Sequence, residues 1–455
     1  VDDPRVAHIV AFHVEGFARL RAAWPGHYEV LRAADRPGRF TVFPGYEIHS
    51  FEHGDYTILL ADLAPAELQL TDSPAELRAA LAADLPGRAM AFPHHIGYRQ
   101  GARGINWDSF DPALSPVVEI VSMHGCAEAS ETDRGFLHSM GPVDGRSTMA
   151  HGLARGHVFG VVGNTDHHSG FPGSYGHGRT ALYAATHERA AFWQALRARR
   201  TNALTGDRVH LLATLGGVMQ GGFVPPGTGG PLRIEAVAGG AIDYIDVLRN
   251  GRLIDRVSPE IMPAPIGPDD ETILHLEMGW GARGKAHDWT GTLSVEGGEV
   301  LAVEPRFRGA EIVSPLEGAD SGHAIPAIDN SDGRVRVAVT AEANPNNVTP
   351  AMQGVALRLR LGSDAVIRAT LCGQEIAIPA ARLFEGSKSG NLGPIDSPAW
   401  RFHQLPLASE WQWHGTRNFA PLAEGETLYL RLRQKNGQMA WTSPIFCRAH
   451  PIDQP

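Results

Sequence analysis

The stretch Gly163-Asn164-Thr165-Asp166-His167-His168-Ser169-Gly170 follows an apolar run, Val158 to Val162, that reads as a buried strand. A carboxylate and an imidazole two residues apart, just past a strand's carboxyl end, can turn into one cavity and hold one metal ion. Asp166 and His168 are therefore candidate metal ligands, with a solvated polar loop as the bland alternative for a single Asp-x-His. Histidine occurs 22 times, 15 of them before residue 206, which locates the chemistry in the first half of the chain. The same layout of apolar strand and metal-competent end recurs at Thr41 to Glu47, at Ala89 to His95 and at Val117 to His124.

Helical patterns separate these strands. Ser73-Pro74-Ala75-Glu76 is a capping box with Pro at the first helical position, opening a helix that runs to about Leu85, where Pro86-Gly87 stops it. Ser147 is a candidate N-cap for a short helix from Met149 to Arg155, and Thr186-His187-Glu188 opens another through Leu196 that is basic in its last turn. Alternating strand and helix predicts a parallel sheet, and parallel barrels carry their sites at the carboxyl ends of their strands. Val6 to Leu20 has apolar residues at helical spacing, so His8 and His13 within it read as surface or helix-packing residues.

At 455 residues, 43% hydrophobic and 20% charged, the chain has the composition of a large globular enzyme of two or three domains. A net charge of -10 argues against a nucleic-acid partner held through phosphates. Cys126, Cys372 and Cys447 are too few and too scattered for a disulfide framework, and no apolar run is long enough to span a membrane. The chain begins at Val1 with no signal peptide, which leaves the compartment open, with the cytoplasm favoured over the periplasm. After about Thr205 the texture changes. A turn-rich hinge from Gly221 to Pro231 leads into short alternating segments, among them Ile242 to Leu248 before the hairpin signal Asn250-Gly251. Residues 206–455 are thus expected to form a β-sandwich-like domain, with room for a second β unit after Glu317 to Asp332.

Taken in order, Phe43-Pro44-Gly45-Tyr46-Glu47, Pro93-His94-His95, Ser122-Met123-His124-Gly125, Thr165-Asp166-His167-His168 and Thr205-Gly206-Asp207-Arg208 resemble the PHP (polymerase and histidinol phosphatase) superfamily, closest to a bacterial branch with a C-terminal β domain. Gly279-Trp280-Gly281 and Trp441 to Ile445 look like that branch's β region. The resemblance implies an α/β fold in which residues 1–205 form a distorted, TIM-like β/α barrel. Its strand ends would hold up to three divalent cations, Zn, Mn or Fe, that hydrolyse phosphate esters. Carried over by position, Glu47 matches a bridging carboxylate, His94 a later histidine ligand, and Asp166 with His168 the final pair. A further ligand is expected between Glu47 and His94. Asp55 and His53 are the candidates, and Asp55 is preferred because it heads directly into Thr57 to Leu60. The superfamily's opening His-x-His and Asp-His are missing before Glu47. Either the first strands lie upstream of Val1, which the absent Met favours, or part of the metal site has been lost.

His95 and His167 each adjoin a proposed ligand, and strand alternation turns them away from it, to outer-shell or structural contacts. His124 could touch substrate or metal, and Glu119, inside an apolar strand, reads as a buried, paired carboxylate. Arg99, Arg103 and Arg179 follow ligand positions in Gly-rich loops. Arg99 and Arg179 are the favoured clamps for an anionic group, since guanidinium forks match phosphate oxygens. The expected activity is hydrolysis of a small anionic ester by a metal-bridging water. The alternatives are a metal hydrolase of an amide, lactone or sulfate ester, or a carbohydrate-binding protein with a vestigial barrel and platforms at Trp280, Trp289, Trp411 and Trp413.

Overall fold

The computed structural model describes residues 4, 7–137, 140–168, 170–259, 270–279, 285–309, 325–342 and 352–450. Gly45–Ile48 (β1), Tyr56–Leu60 (β2) and Ala89–Pro93 (β3) form a three-stranded antiparallel sheet in which Glu47 faces Thr57 and Tyr56 faces Pro93. Only His49 to Asp55 connect β1 to β2. That is far short of the dozen or so residues that a parallel crossover needs, so the pair must be a hairpin. Since β1 and β3 both run against β2, their carboxyl ends meet the start of β2 at one edge.

Helix α1 (Ala7–Ala34) and helix α2 (Pro74–Asp84) cover this sheet, burying Trp24, Tyr28, Leu77 and Leu81 against Tyr46, Ile58 and Leu60. As expected from the capping box, Ser73 Oγ accepts from the Glu76 N–H at 3.3 Å. Val117–Ser122 (β4) is buried throughout; it pairs antiparallel with Gly125–Cys126 (β5) and parallel with Gly160–Gly163 (β6). Helix α3 (Met149–Ala154), capped by Thr148 rather than Ser147, lies in the β4–β6 crossover.

The expected TIM-like β/α barrel over residues 1–205 is overturned. Strands make up 42% of the structure and helix 16%, the sheets are mostly antiparallel, and among the described residues none closes on itself. Arg179–Leu182 (β7) and Thr201–Leu204 (β8), with α4 (Arg189–Arg197) between them, are antiparallel, and β8 pairs with Met439–Thr442. Sequence position 205 therefore falls where one sheet continues into strands from the far end of the chain. A Cβ on Gly163 would stand 2.8 Å from the Arg179 carbonyl and 2.9 Å from that of Leu204, so glycine lets β6 close on this layer.

Beyond β8, His210–Leu215, Gly230–Val237 and Gln412–Phe419 form a sheet that shares one core with Ile242–Arg249 and Thr427–Gln434 of the β7–β8 sheet. Asn250 and Gly251 turn the Ile242–Arg249 hairpin with φ of 52° and 72°, the left-handed pair expected of Asn-Gly. Glu271–Met278, His287–Arg306, Val335–Ala341 and Gln353–Leu371 belong to a separate antiparallel sheet with its own core. Among the described residues, no helix is long and apolar enough to cross a membrane.

Candidate metal centre

The shared edge of β1, β2 and β3, together with the ends of β4 and β6, brings one set of side chains together. Glu47 lies at the end of β1, and Asp55 directly precedes β2. His94 and His95 follow β3, His124 follows β4, and Asp166 and His168 follow β6. Glu47 Oε1 stands 3.4 Å from His49 Nδ1, 3.5 Å from His94 Nε2 and 3.7 Å from His95 Nε2. Asp166 Oδ2 is 2.9 Å from His124 Nε2 and 3.3 Å from His94 Nε2, while its Oδ1 is 3.3 Å from His168 Nε2. Asp55 Oδ2 lies 3.0 Å from His49 Nδ1, 3.4 Å from His95 Nε2 and 3.2 Å from Arg103 Nη1.

All five ligands read from the sequence, Glu47, Asp55, His94, Asp166 and His168, thus fall in one web, and His49, His95 and His124 join them. Ligand atoms bound at about 2.0–2.1 Å around a tetrahedral cation sit about 3.3 Å from one another. Most of these contacts have that spacing, which is longer than a well-formed hydrogen bond. His94 Nε2 and Asp166 Oδ2 are buried with no aligned hydrogen-bond partner among the described residues. Three groups, Glu47–His94–His95, His124–Asp166–His168 and Glu47–His49–Asp55, each bring their ligand atoms within 4.8 Å of one another, and Glu47 belongs to two of them.

The charge balance points the same way. Burial opposes ionisation of Asp166, but His94, His124 and His168 hold its carboxyl well below the usual range. Burial also opposes ionisation of Asp55, which His49, His95 and Arg103 bring down to about 2. Glu47 is lowered against its burial by His94, His95 and His49. The reciprocal effect appears on His94, where Asp166, Glu119 and Glu47 overcome burial and raise the imidazole well above 6.5. The carboxylates are thus kept ionised by the surrounding imidazoles and by the guanidinium of Arg103, a site whose negative charge is balanced by cations.

Two groups orient the imidazoles from behind. Tyr98 Oη lies 3.0 Å from His124 Nδ1. Glu119 accepts from the His95 N–H at 3.0 Å and from Asn164 Nδ2 at 2.7 Å, and its Oε1 stands 2.9 Å from His94 Nδ1. Carboxylates behind metal-bound histidines fix ring orientation and raise basicity. Glu119→Gln is accordingly expected to weaken metal binding by about 10–100-fold, read by competition against a chromophoric chelator. Unchanged affinity in the folded variant would reduce Glu119 to a packing role.

Of the two proposed clamps, neither lines the cavity beside the web. Arg99 is exposed on a shallow groove with Phe51, Glu52 and Arg146. Arg179 donates from Nη1 to Glu304 Oε1 at 3.1 Å and from Nη2 to the Gly173 carbonyl. Arg103 is the guanidinium at the cavity. His53 Nδ1 lies 3.0 Å from Ser109 Oγ, so Asp55 rather than His53 stands in the web. His95 defeats the alternation argument because its φ is +30°, which turns its ring to the same side as that of His94. His49 was legible but missed: Glu47-x-His49 repeats the two-residue spacing of Asp166-x-His168. His13 had no signal in local sequence, yet its ring centroid is 4.2 Å from that of His49 and its Nε2 3.1 Å from Arg103 Nη2.

A fourth group, His275–Glu277–His403, reads as an ion pair beside stacked rings. His403 Nε2 is 2.7 Å from Glu277 Oε2, and the two imidazoles stack at 4.4 Å. Burial, with Arg306, His403 and further arginines, depresses His275, an environment that disfavours a cation. As for aromatic platforms, Trp289 and Trp411 are buried, Trp413 is half-buried beneath the Arg417 guanidinium, and Trp280 lies outside the described residues. No protein-family model, curated protein or solved structure matches the chain.

Proposed function

We propose that the protein is a metal-dependent hydrolase of a small anionic ester, a phosphate ester first of all. The observation that carries this reading is Glu47, whose Oε1 faces three imidazoles and whose carboxylate is common to two ligand groups, as a carboxylate bridging two cations would be. Zn, Mn or Fe bound by Glu47, His94, His95, His124, Asp166 and His168 would supply a hydroxide near neutral pH and offset negative charge on the reacting group. The chain's own residues bind and orient. Arg103, anchored on Asp55 and lining the cavity, offers a permanent cation for anionic oxygens. Glu119 and Tyr98 hold the rings of His94 and His124. The order of these motifs supports the likeness to the PHP superfamily in chemistry, though on a different arrangement of strands.

Purified protein is expected to carry divalent metal by elemental analysis, to lose phosphate-ester turnover on chelation and to regain it with Mn or Zn. A folded protein that takes up neither metal would remove the reading. Metal-loaded protein that cleaves amides, lactones or sulfate esters but no phosphate ester would replace it with the alternative hydrolase.

A further inference from the structure

The web opens into a cavity of about 590 Å³, a size that fits a small molecule. Glu47, His49, His95, Arg103 and His168 make one side of it. The other side is a single face of α1, on which Gly16, Phe17, Leu20 and Trp24 recur at helical spacing between His13 and His27. Phe17 and Leu20 are only half-buried and line the cavity, Leu20 also packing against the core beneath α1. Gly16 sits in the middle of this face. Glycine inside a helix is destabilising, and a Cβ there would meet no atom within 4 Å. No packing contact therefore requires glycine at this position, and what it provides is room beside Phe17.

Resting on the metal-site reading above, we infer that the substrate is amphiphilic: an anionic ester group held by Arg103 and by the cation that Glu47 and His95 would bind, carrying an alkyl or aryl group that lies along α1 at Gly16, Phe17 and Leu20. A purely polar ester would leave that wall wet. An ester with an apolar group gains affinity from each methylene it buries there.

The test uses the metal-loaded full chain and non-hydrolysable alkylphosphonates from methyl to butyl, titrated by calorimetry, so that it does not depend on turnover. Each added methylene is expected to tighten Kd about fourfold, or roughly 60-fold from methyl to butyl. Gly16→Leu, which replaces a poor helix former by a good one in open space, is expected to keep wild-type metal content and to collapse that ratio towards unity. A Kd independent of chain length, a ratio unaffected by Gly16→Leu, or metal-loaded protein that binds no phosphonate would overturn the inference. Failure of the wild type to hold metal would overturn the metal reading itself, and the inference with it.

Discussion

Asp166→Ala is expected to strip most of the bound metal and to lower phosphate-ester turnover by roughly 10² or more, the effect of removing one major electrostatic contributor to a transition state. Asp166 Oδ2 serves His94 and His124 while Oδ1 serves His168, so one truncation removes the anion on which three imidazoles converge. Without it His94 loses the strongest of the charges that raise it. The cluster then loses a carboxylate donor and much of the negative charge that would attract a cation. Asp166→Asn separates charge from shape: it keeps the side chain's size while removing the carboxylate, and it should fall close to Ala in metal content. Elemental analysis and turnover measured on the same folded samples decide it. Full metal occupancy with undiminished turnover in Asp166→Ala would show that Asp166 is not a ligand and that its contacts to His94, His124 and His168 are internal ion pairs.

The residues that converge at the shared edge were legible because their signal is local. A strand needs a continuous apolar run, and an Asp or His standing immediately after one has no reason to be there unless it is satisfied by something, so Glu47, His94, Asp166 and His168 could be picked out without any knowledge of how the strands are arranged. Strand direction is a different matter. The expectation of a parallel barrel came from alternating helix and strand signals between Ser73 and Leu196, yet the decisive information lay in the short connection His49 to Asp55, which allows only a hairpin. Of the pairs near the site, only β4 with β6 is parallel. The choice between Arg99 and Arg103 turned on the shape of the loop, in which Arg103 itself takes φ of 72° and reaches back to Asp55. The part played by His13 depends on where α1 packs, a contact across 36 residues of sequence from His13 to His49 that no periodicity encodes.

Glu128→Ala is expected to destabilise the protein by about 3–5 kcal/mol, the cost of stranding the partner of a buried ion pair. The residue follows β5 and is almost wholly buried. It accepts from Tyr429 Oη at 2.9 Å, from Trp441 Nε1 at 2.8 Å and from Arg431 Nη1 at 3.1 Å. Arg431 is shared with Asp246, whose Oδ2 accepts from Nη2 at 2.7 Å, and Asp246 accepts in turn from Arg256. Removing Glu128 leaves two buried ring donors without an acceptor and leaves the guanidinium held from one side only. Glu128→Gln keeps an acceptor oxygen but loses the charge, and should cost about 1–3 kcal/mol. Denaturant titration measures both, with the midpoint shifting and the slope preserved if the structure unfolds as one unit. The network joins the loop after β5 to strands Thr427–Gln434 and Met439–Thr442, so the variant also tests whether the expected division near residue 205 has any energetic meaning. Two separate transitions, with only the later one moved by Glu128→Ala, would restore an independent N-terminal unit. A single shifted transition follows if β4, β5 and the strands Thr427–Gln434 and Met439–Thr442 are one cooperative body, and the edge that carries Glu47, His94 and Asp166 then owes its geometry to residues more than 250 positions away in sequence.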